Sequence, residues 1–425
     1  MKTTYPIFLY LILSSTTAAC GQETLFYKHI APVIFKSCTP CHQRGAIGPF
    51  TLETYDDVKY HAKMISYVLE ERLMPPWKAD DTYRTFHNER KIDSGFLGLF
   101  LKWMNGGYAQ GNDKISFSAP SGEDLVKPDY IIRMPRPIKL EATNRDIFVT
   151  YIDSMFLGGE RYIKSIKIVP GNTRLVHHCR VDFDTTDASV SLLKDGFINT
   201  ANLNTIPPPA YGFVADYVPG ISAYKYPEGI GYKVSKKLYV LVNVHYAPNA
   251  KEEYDSTKVY VYFYPKGYKP REVGHRSIGL DPKTPNVEIS KIPKDSICTF
   301  QIGSEALDTS ISLIAIQPHM HLIGKYMEVY AITPANDTVP LVRVTDWDFN
   351  WQENYYFEKP VVLPKGTTFH IKGIYDNTTG NLNNPFYPPQ DIYFNNRMKT
   401  TNEMFEFYIQ SVIYRPGDEK LELYK

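Results

Sequence analysis

The chain has 425 residues and a mass of 48.7 kDa, with 47 Lys plus Arg against 46 Asp plus Glu. That length excludes a single small module, and a net charge of +1 supplies no broad cationic field for nucleic acid. A mean hydropathy of -0.31, with one long apolar run at the extreme N-terminus, argues against a chain that crosses a membrane several times. The 33 Tyr, 22 Phe and scattered Pro and Gly favour short strands and turns, while five Cys are too few for a disulfide scaffold.

Residues 1–19 run in the order of a secretory signal peptide: a Lys, an apolar stretch over 5–13, then small residues over 14–19. The mature protein is therefore expected outside the cytoplasm, in a bacterial periplasm, on an outer membrane, or secreted. Cys20 follows directly, and the junction resembles a bacterial lipoprotein cleavage site, which implies a lipid anchor at Cys20; Thr17 departs from the aliphatic residue usual there. Over 25–37, 55–72 and 94–105 apolar residues recur at helical spacing, which predicts a small all-α domain at 21–111. A Gly-, Ser- and Asp-rich linker at 112–127 follows. Beyond it, strand-like segments such as 238–246, 258–264, 311–316, 326–332, 367–375 and 403–414 predict two mainly-β sandwich domains, 128–270 and 271–425.

Within the helical part, Cys38-Thr39-Pro40-Cys41-His42 has the C-x-x-C-H spacing at which two thiols form thioethers to haem and the next imidazole reaches the iron. A Cys38–Cys41 disulfide beside an idle His42 is the plainer reading. A second axial ligand is needed, and Met74, stiffened by Pro75 and Pro76, is the candidate; Met64, mid-helix, is its competitor. Gly48-Pro49-Phe50, the Met-Pro-Pro-Trp loop and the stretch from Trp103 to Gly107 make residues 22–110 resemble the small cytochrome c domains fused to extracytoplasmic oxidases. That resemblance implies one covalently bound haem c.

Five of the 11 His fall in three strings of the β-rich part: His177-His178, His245 in Val244-His245-Tyr246, and His319-Met320-His321. Imidazole suits copper and zinc. His319 and His321, two apart on a strand, share a face; His177 and His178 do not, so a shared metal requires a bulge there and a further ligand, for which His245 is the natural candidate. Met404, in Glu403-Met404-Phe405, is either core filler or a third donor for the His319/His321 pair.

Together, Val176-His177-His178, Val244-His245-Tyr246, the run from His319 to Lys325 (H-x-H-L-x-G-K) and Glu403-Met404 resemble, in order, the copper type II monooxygenases, the family of dopamine beta-monooxygenase and peptidylglycine alpha-hydroxylating monooxygenase. The resemblance implies paired jelly-roll sandwiches with two copper ions, one on His177, His178 and His245 and one on His319, His321 and Met404. It further implies that O2 meets a small-molecule substrate at the Met site. Hydroxylation consumes two electrons, so the haem reads as a built-in donor fed by an upstream redox protein or small reductant. Gln317 stands where the peptide-amidating member has Arg, and Glu406 where it has Asn, while Tyr408 is retained; peptide amidation is disfavoured. Cys179, beside His178, is either a free thiol or paired with Cys298. The remaining His29, His61, His87, His275 and His370 read as structural. The function expected is a copper-dependent monooxygenase hydroxylating a C–H bond, the alternative being a non-catalytic extracytoplasmic electron-transfer or copper-binding protein.

Overall fold

The computed structural model describes residues 23–112, 114–117, 127–184, 186, 188–198, 211–220, 223–234, 237–280, 291–394 and 400–424. The signal peptide, Cys20 and much of the expected linker lie outside them. No helix of the described residues is long and apolar enough to cross a membrane.

The strands alternate as their sequences require, burying Val, Ile and aromatic side chains on the inner face. Six strand segments will recur: β1 (Ile147–Phe156), β2 (Val176–Asp184), β3 (Tyr211–Tyr217), β4 (Lys237–Tyr246), β5 (Ile311–His319) and β6 (Glu406–Ile413). One six-stranded sheet runs Leu193–Lys194, Phe197–Ile198, β1, β4, β2, β3, with its neighbours antiparallel. A second contains Tyr130–Arg133, Lys258–Phe263, Arg161–Val169, Ile230–Val234 and Arg271–Glu272. C-terminal to these, Gly274–Gly279, β6, β5 and Tyr355–Leu363 make a four-stranded sheet. Another joins Ile297–Gly303, Thr368–Asp376, Gly324–Ile332 and Thr338–Val344. Val181, Val242 and Val261 from the first half and Leu313, Val329 and Ile371 from the second belong to one continuous buried cluster.

The expected fold class, an all-α cytochrome c domain followed by two mainly-β jelly-roll sandwiches, is corrected here. The protein is mainly β, 40% strand and 13% helical. The α-helices of the N-terminal part are few and short: Ala31–Ser37, Tyr55–Tyr60, Ala62–Glu70 and Ser94–Asn105. They form around Phe26, Ile30, Ile34, Val58, Phe100 and Trp103, with Thr54 and Asp93 capping two N-termini. Between Glu70 and Ser94, however, the chain leaves them and joins the β part. Ala79 bridges to Val344, the Asp80 amide donates to the Arg343 carbonyl (2.8 Å), the His87 amide donates to Tyr356 (2.8 Å), and Trp77 and Phe86 pack on Tyr355. Helical periodicity is a local signal and could not register these long-range bonds.

Among the described residues Cys38, Cys41, Cys179 and Cys298 are all free, so of the two readings left open for Cys179 the structure has the free thiol, and the disulfide alternatives are not found. Cys179 is buried on β2, whereas Cys298 stands in the Ile297–Gly303 strand of a separate sheet beside the Ser296 hydroxyl.

Arg271, on the second sheet, crosses to Asp418 near the C-terminus through two hydrogen bonds (2.7 and 2.8 Å). Asp418 also accepts from the Ser312 hydroxyl (2.7 Å) and the Arg415 amide (3.0 Å). Burial alone would raise this carboxyl, but those donors hold it down at about 2. Because the folded value lies below the unfolded one, the contribution of Asp418 is present above pH about 4 and is lost as pH falls through about 2. Asp418→Asn is expected to cost about 3 kcal/mol at neutral pH and to flatten the acid limb of stability measured by urea unfolding from pH 5 downward; an unchanged acid limb would show that the clasp contributes nothing.

Candidate metal centres and the cavity between them

β2 and β4 pair in register up to His178 opposite His245, after which the next pair is Val176 opposite Tyr246. His177 is the extra residue of this bulge. Its ring turns toward the same side as its neighbour, and ligand atoms of His177, His178 and His245 all lie within 4.8 Å of one another. The Nδ1 atoms of His178 and His245 face each other at 2.9 Å. The other His245 nitrogen, Nε2, is held by Asp146 Oδ1 (2.8 Å), and the ring stacks on Phe148 at 4.3 Å. The His177 Nδ1 is buried without a hydrogen-bond partner. Burial, then the neighbouring imidazoles, pulls His178 well below its ordinary value and lowers His177 as well. Neutral imidazoles with converging lone pairs and one orphaned nitrogen fit a copper ion.

His319 closes β5, and His321 follows after Met320, whose side chain turns into the core. The two rings stand 5.1 Å apart at 88°. His319 Nδ1 meets Gln352 Oε1 (2.5 Å) and His321 Nδ1 meets the Asn402 carbonyl (2.8 Å), so both rings are oriented through the same nitrogen. Burial takes His319 down to about 4. Glu403 is fully enclosed and pushed up to about 8 by burial; its two oxygens accept from the amides of His321 (2.7 Å) and Ile323 (2.8 Å). Met404 follows it, half-buried just before β6, with its carbonyl accepting from the Tyr375 hydroxyl (2.6 Å).

Both histidine groups border one cavity of about 80 Å³, lined by His178, His319 and His321 together. Phe349 stands among them, its ring centroid 5.9 Å from His178, 6.2 Å from His245 and 5.7 Å from His321. Gln317 lines the cavity and donates to Asp216 (2.7 Å), whose other oxygen accepts from Asn354 (2.7 Å); burial raises Asp216 to about 6 against these donors. Tyr408 also lines it, receives Arg180 (3.1 Å) and donates to Glu406, which additionally accepts from Ser277 (2.8 Å). Asp146, Arg180, Asp216, Phe349 and Gln352 were not singled out in the sequence, because each gains its role through strand register or a loop rather than a motif.

In the helical part, Cys38 caps the Ala31–Ser37 helix and His42 turns back on it, amide to Cys38 carbonyl at 3.0 Å. His42 Nδ1 engages the Phe50 carbonyl (3.1 Å), and a side-chain carbon at Gly48 would lie 2.7 Å from that nitrogen. Free thiols on one turn, an imidazole pinned by its Nδ1 and a glycine seat beside it fit a covalently attached haem. Met74 stands in a turn, 39% exposed, its amide donating to Val68 (3.3 Å); Met64 is 53% exposed on the Ala62–Glu70 helix. Of the histidines read as structural, His61 stacks on Phe50, His275 meets the Tyr226 hydroxyl (3.2 Å) and His370 stacks on Tyr330.

Residues 282–410 match the family model of the C-terminal domain of copper type II ascorbate-dependent monooxygenases. That span holds Gln317, His319, His321, Met404, Glu406 and Tyr408; the three-histidine cluster lies before it. No curated protein matches the chain. Among solved structures, the PBSX exported protein XepA is similar at 10% identity over 58% of this chain and 86% of its own, with a TM-score of 0.18. The infectious bursal disease virus VP2 subviral particle is similar at 8% identity over 72% and 76%, with a TM-score of 0.19. The family match is therefore the comparison that bears on function.

Asp146→Ala removes the partner that fixes the His245 ring. Copper affinity at the three-histidine cluster is expected to fall about 10- to 100-fold, measured by competition with a cuprous chelator; unchanged affinity would make the Asp146 contact incidental.

Proposed function

We propose that the protein is an extracytoplasmic copper-dependent monooxygenase that hydroxylates a C–H bond of a small organic substrate with O2. The observation that carries this reading is the meeting of two histidine groups on one cavity, one of them inside the segment that matches the monooxygenase family. His177, His178 and His245 would hold one copper; His319, His321 and Met404 would hold the other. When bound, the copper ions supply one-electron redox couples and the place where dioxygen is reduced.

The chain's own residues do the rest. Gln352, Asn402 and Glu403 fix the rings and backbone of the second pair before any ion arrives, so little reorganisation is left to binding. Phe148 and Phe349 line the cavity with apolar surface and limit water in it. Gln317 is held by Asp216, and Tyr408 by Arg180 and Glu406, which leaves two oriented polar groups to position substrate. With acids behind both, a substrate carboxylate at this wall is disfavoured.

Electrons are proposed to enter through a haem c attached at Cys38 and Cys41 and ligated by His42, with Met74 as the second ligand. The free thiols and the pinned His42 ring support this reading. An upstream redox protein or small reductant would feed it, and a lipid on Cys20 would keep the enzyme at a membrane surface.

Turnover under oxygen-18 gas is expected to place one labelled atom in the product. Met404→Ala should abolish labelling and lower bound copper from about two equivalents to about one. Full copper loading with no labelled product from any candidate substrate would favour the electron-transfer or copper-binding alternative.

A further inference from the structure

The Cys38–His42 turn is seated against the strand that leads to the three-histidine cluster. Gly220, in the exposed turn after β3, has φ +91°, and a side-chain carbon there would lie 2.8 Å from the Cys41 Sγ and 3.4 Å from the Arg90 guanidinium. Only a bare backbone admits the sulfur so closely. Arg90 pairs with the buried carboxylate of Glu353, on the loop that carries Phe349 and Gln352, and so clamps the turn to the same wall.

Three residues before Gly220, Tyr217 ends β3. Its register partner is Cys179 on β2, the residue after His178. Tyr217 is 9% exposed and borders the central cavity together with His178 and Cys179. Burial first, then the charges that Cys41 and Cys179 would carry as thiolates, raises its phenol. The four residues from Tyr217 to Gly220 thus span from the strand bearing two of the three clustered histidines, which Tyr217 faces through Cys179, to the C-x-x-C-H turn, which Gly220 seats at Cys41.

We infer that Tyr217 is the positioning residue through which an electron passes from a haem held at Cys38, Cys41 and His42 to a copper held by His177, His178 and His245, with Gly220 as the seat that brings Cys41 against that path. The inference rests on the electron-supply reading above. In this step one electron leaves ferrous haem iron, which becomes ferric, and reduces cupric to cuprous ion. No bond forms or breaks, and the phenol keeps its proton.

The test uses the full-length protein loaded with haem and cupric ion under anaerobic conditions. A flash-generated flavin semiquinone reduces the haem, and reoxidation is followed in the haem absorption bands while the cupric signal is followed by electron paramagnetic resonance. Tyr217→Leu is expected to slow haem reoxidation by an order of magnitude with haem and copper contents unchanged, and Tyr217→Phe to restore the wild-type rate. Gly220→Ala, at an exposed turn and outside the core, is expected to slow it by displacing Cys41, and it carries the test should Tyr217→Leu fail to fold. Wild-type rates in Tyr217→Leu and Gly220→Ala, at full cofactor content, would overturn the bridge and leave the electron-supply reading standing. A wild-type protein without covalent haem in a pyridine haemochrome assay would overturn both.

Discussion

A single extra residue in one strand is the constraint on which the chemistry of this protein depends. In an unbroken ladder between β2 and β4, His177 and His178 would point to opposite faces, and one of them would be lost to the cluster. The slip that moves the pairing from His178–His245 to Val176–Tyr246 absorbs His177 and turns three imidazoles toward one point. Bulges disrupt a ladder and cost hydrogen bonding. Here the cost is confined to the end of a pairing whose other residues, from Tyr239 to Val244, remain in register with β2 across a buried face.

The second dependency is a loop without regular structure. Trp347 donates its indole N–H to the His321 carbonyl (3.0 Å), Phe349 stands between the two histidine groups, and Gln352 orients His319. Glu353 pairs with Arg90, while Asn354 donates to Asp216 and accepts from Asn88 through its carbonyl (2.8 Å). One short stretch therefore reaches the first sheet, the second histidine pair and the N-terminal segment at once. A loop this well bonded behaves as part of the scaffold, and it makes the spacing of the two candidate centres a property of the whole fold rather than of either half.

The histidine strings H-H, V-H-Y and H-x-H stand out in the linear sequence because metal binding would demand particular side chains at such fixed spacings. The requirement for a bulge at His177-His178 could also be argued from strand geometry alone. The helical reading of the N-terminal part failed where tertiary contacts override local pattern, since nothing in residues 77–89 announces that they pair with Val344 and Tyr356. The same cause hid Asp146 and Asp216. A carboxylate becomes an orienting partner only when folding brings a distant imidazole or amide to it, and a lone Asp on a strand carries no such mark. Phe349 is illegible for a further reason, as an aromatic in a loop reads as ordinary core.

Two copper ions bound on opposite sides of Phe349, both bordering one cavity, are what this arrangement of histidines requires. Crystals of the copper-loaded protein, measured above and below the copper absorption edge, test it directly. Two anomalous peaks are expected, one enclosed by His177, His178 and His245 and the other by His319, His321 and the Met404 sulfur. A single peak, or a second peak away from Met404, would contradict it.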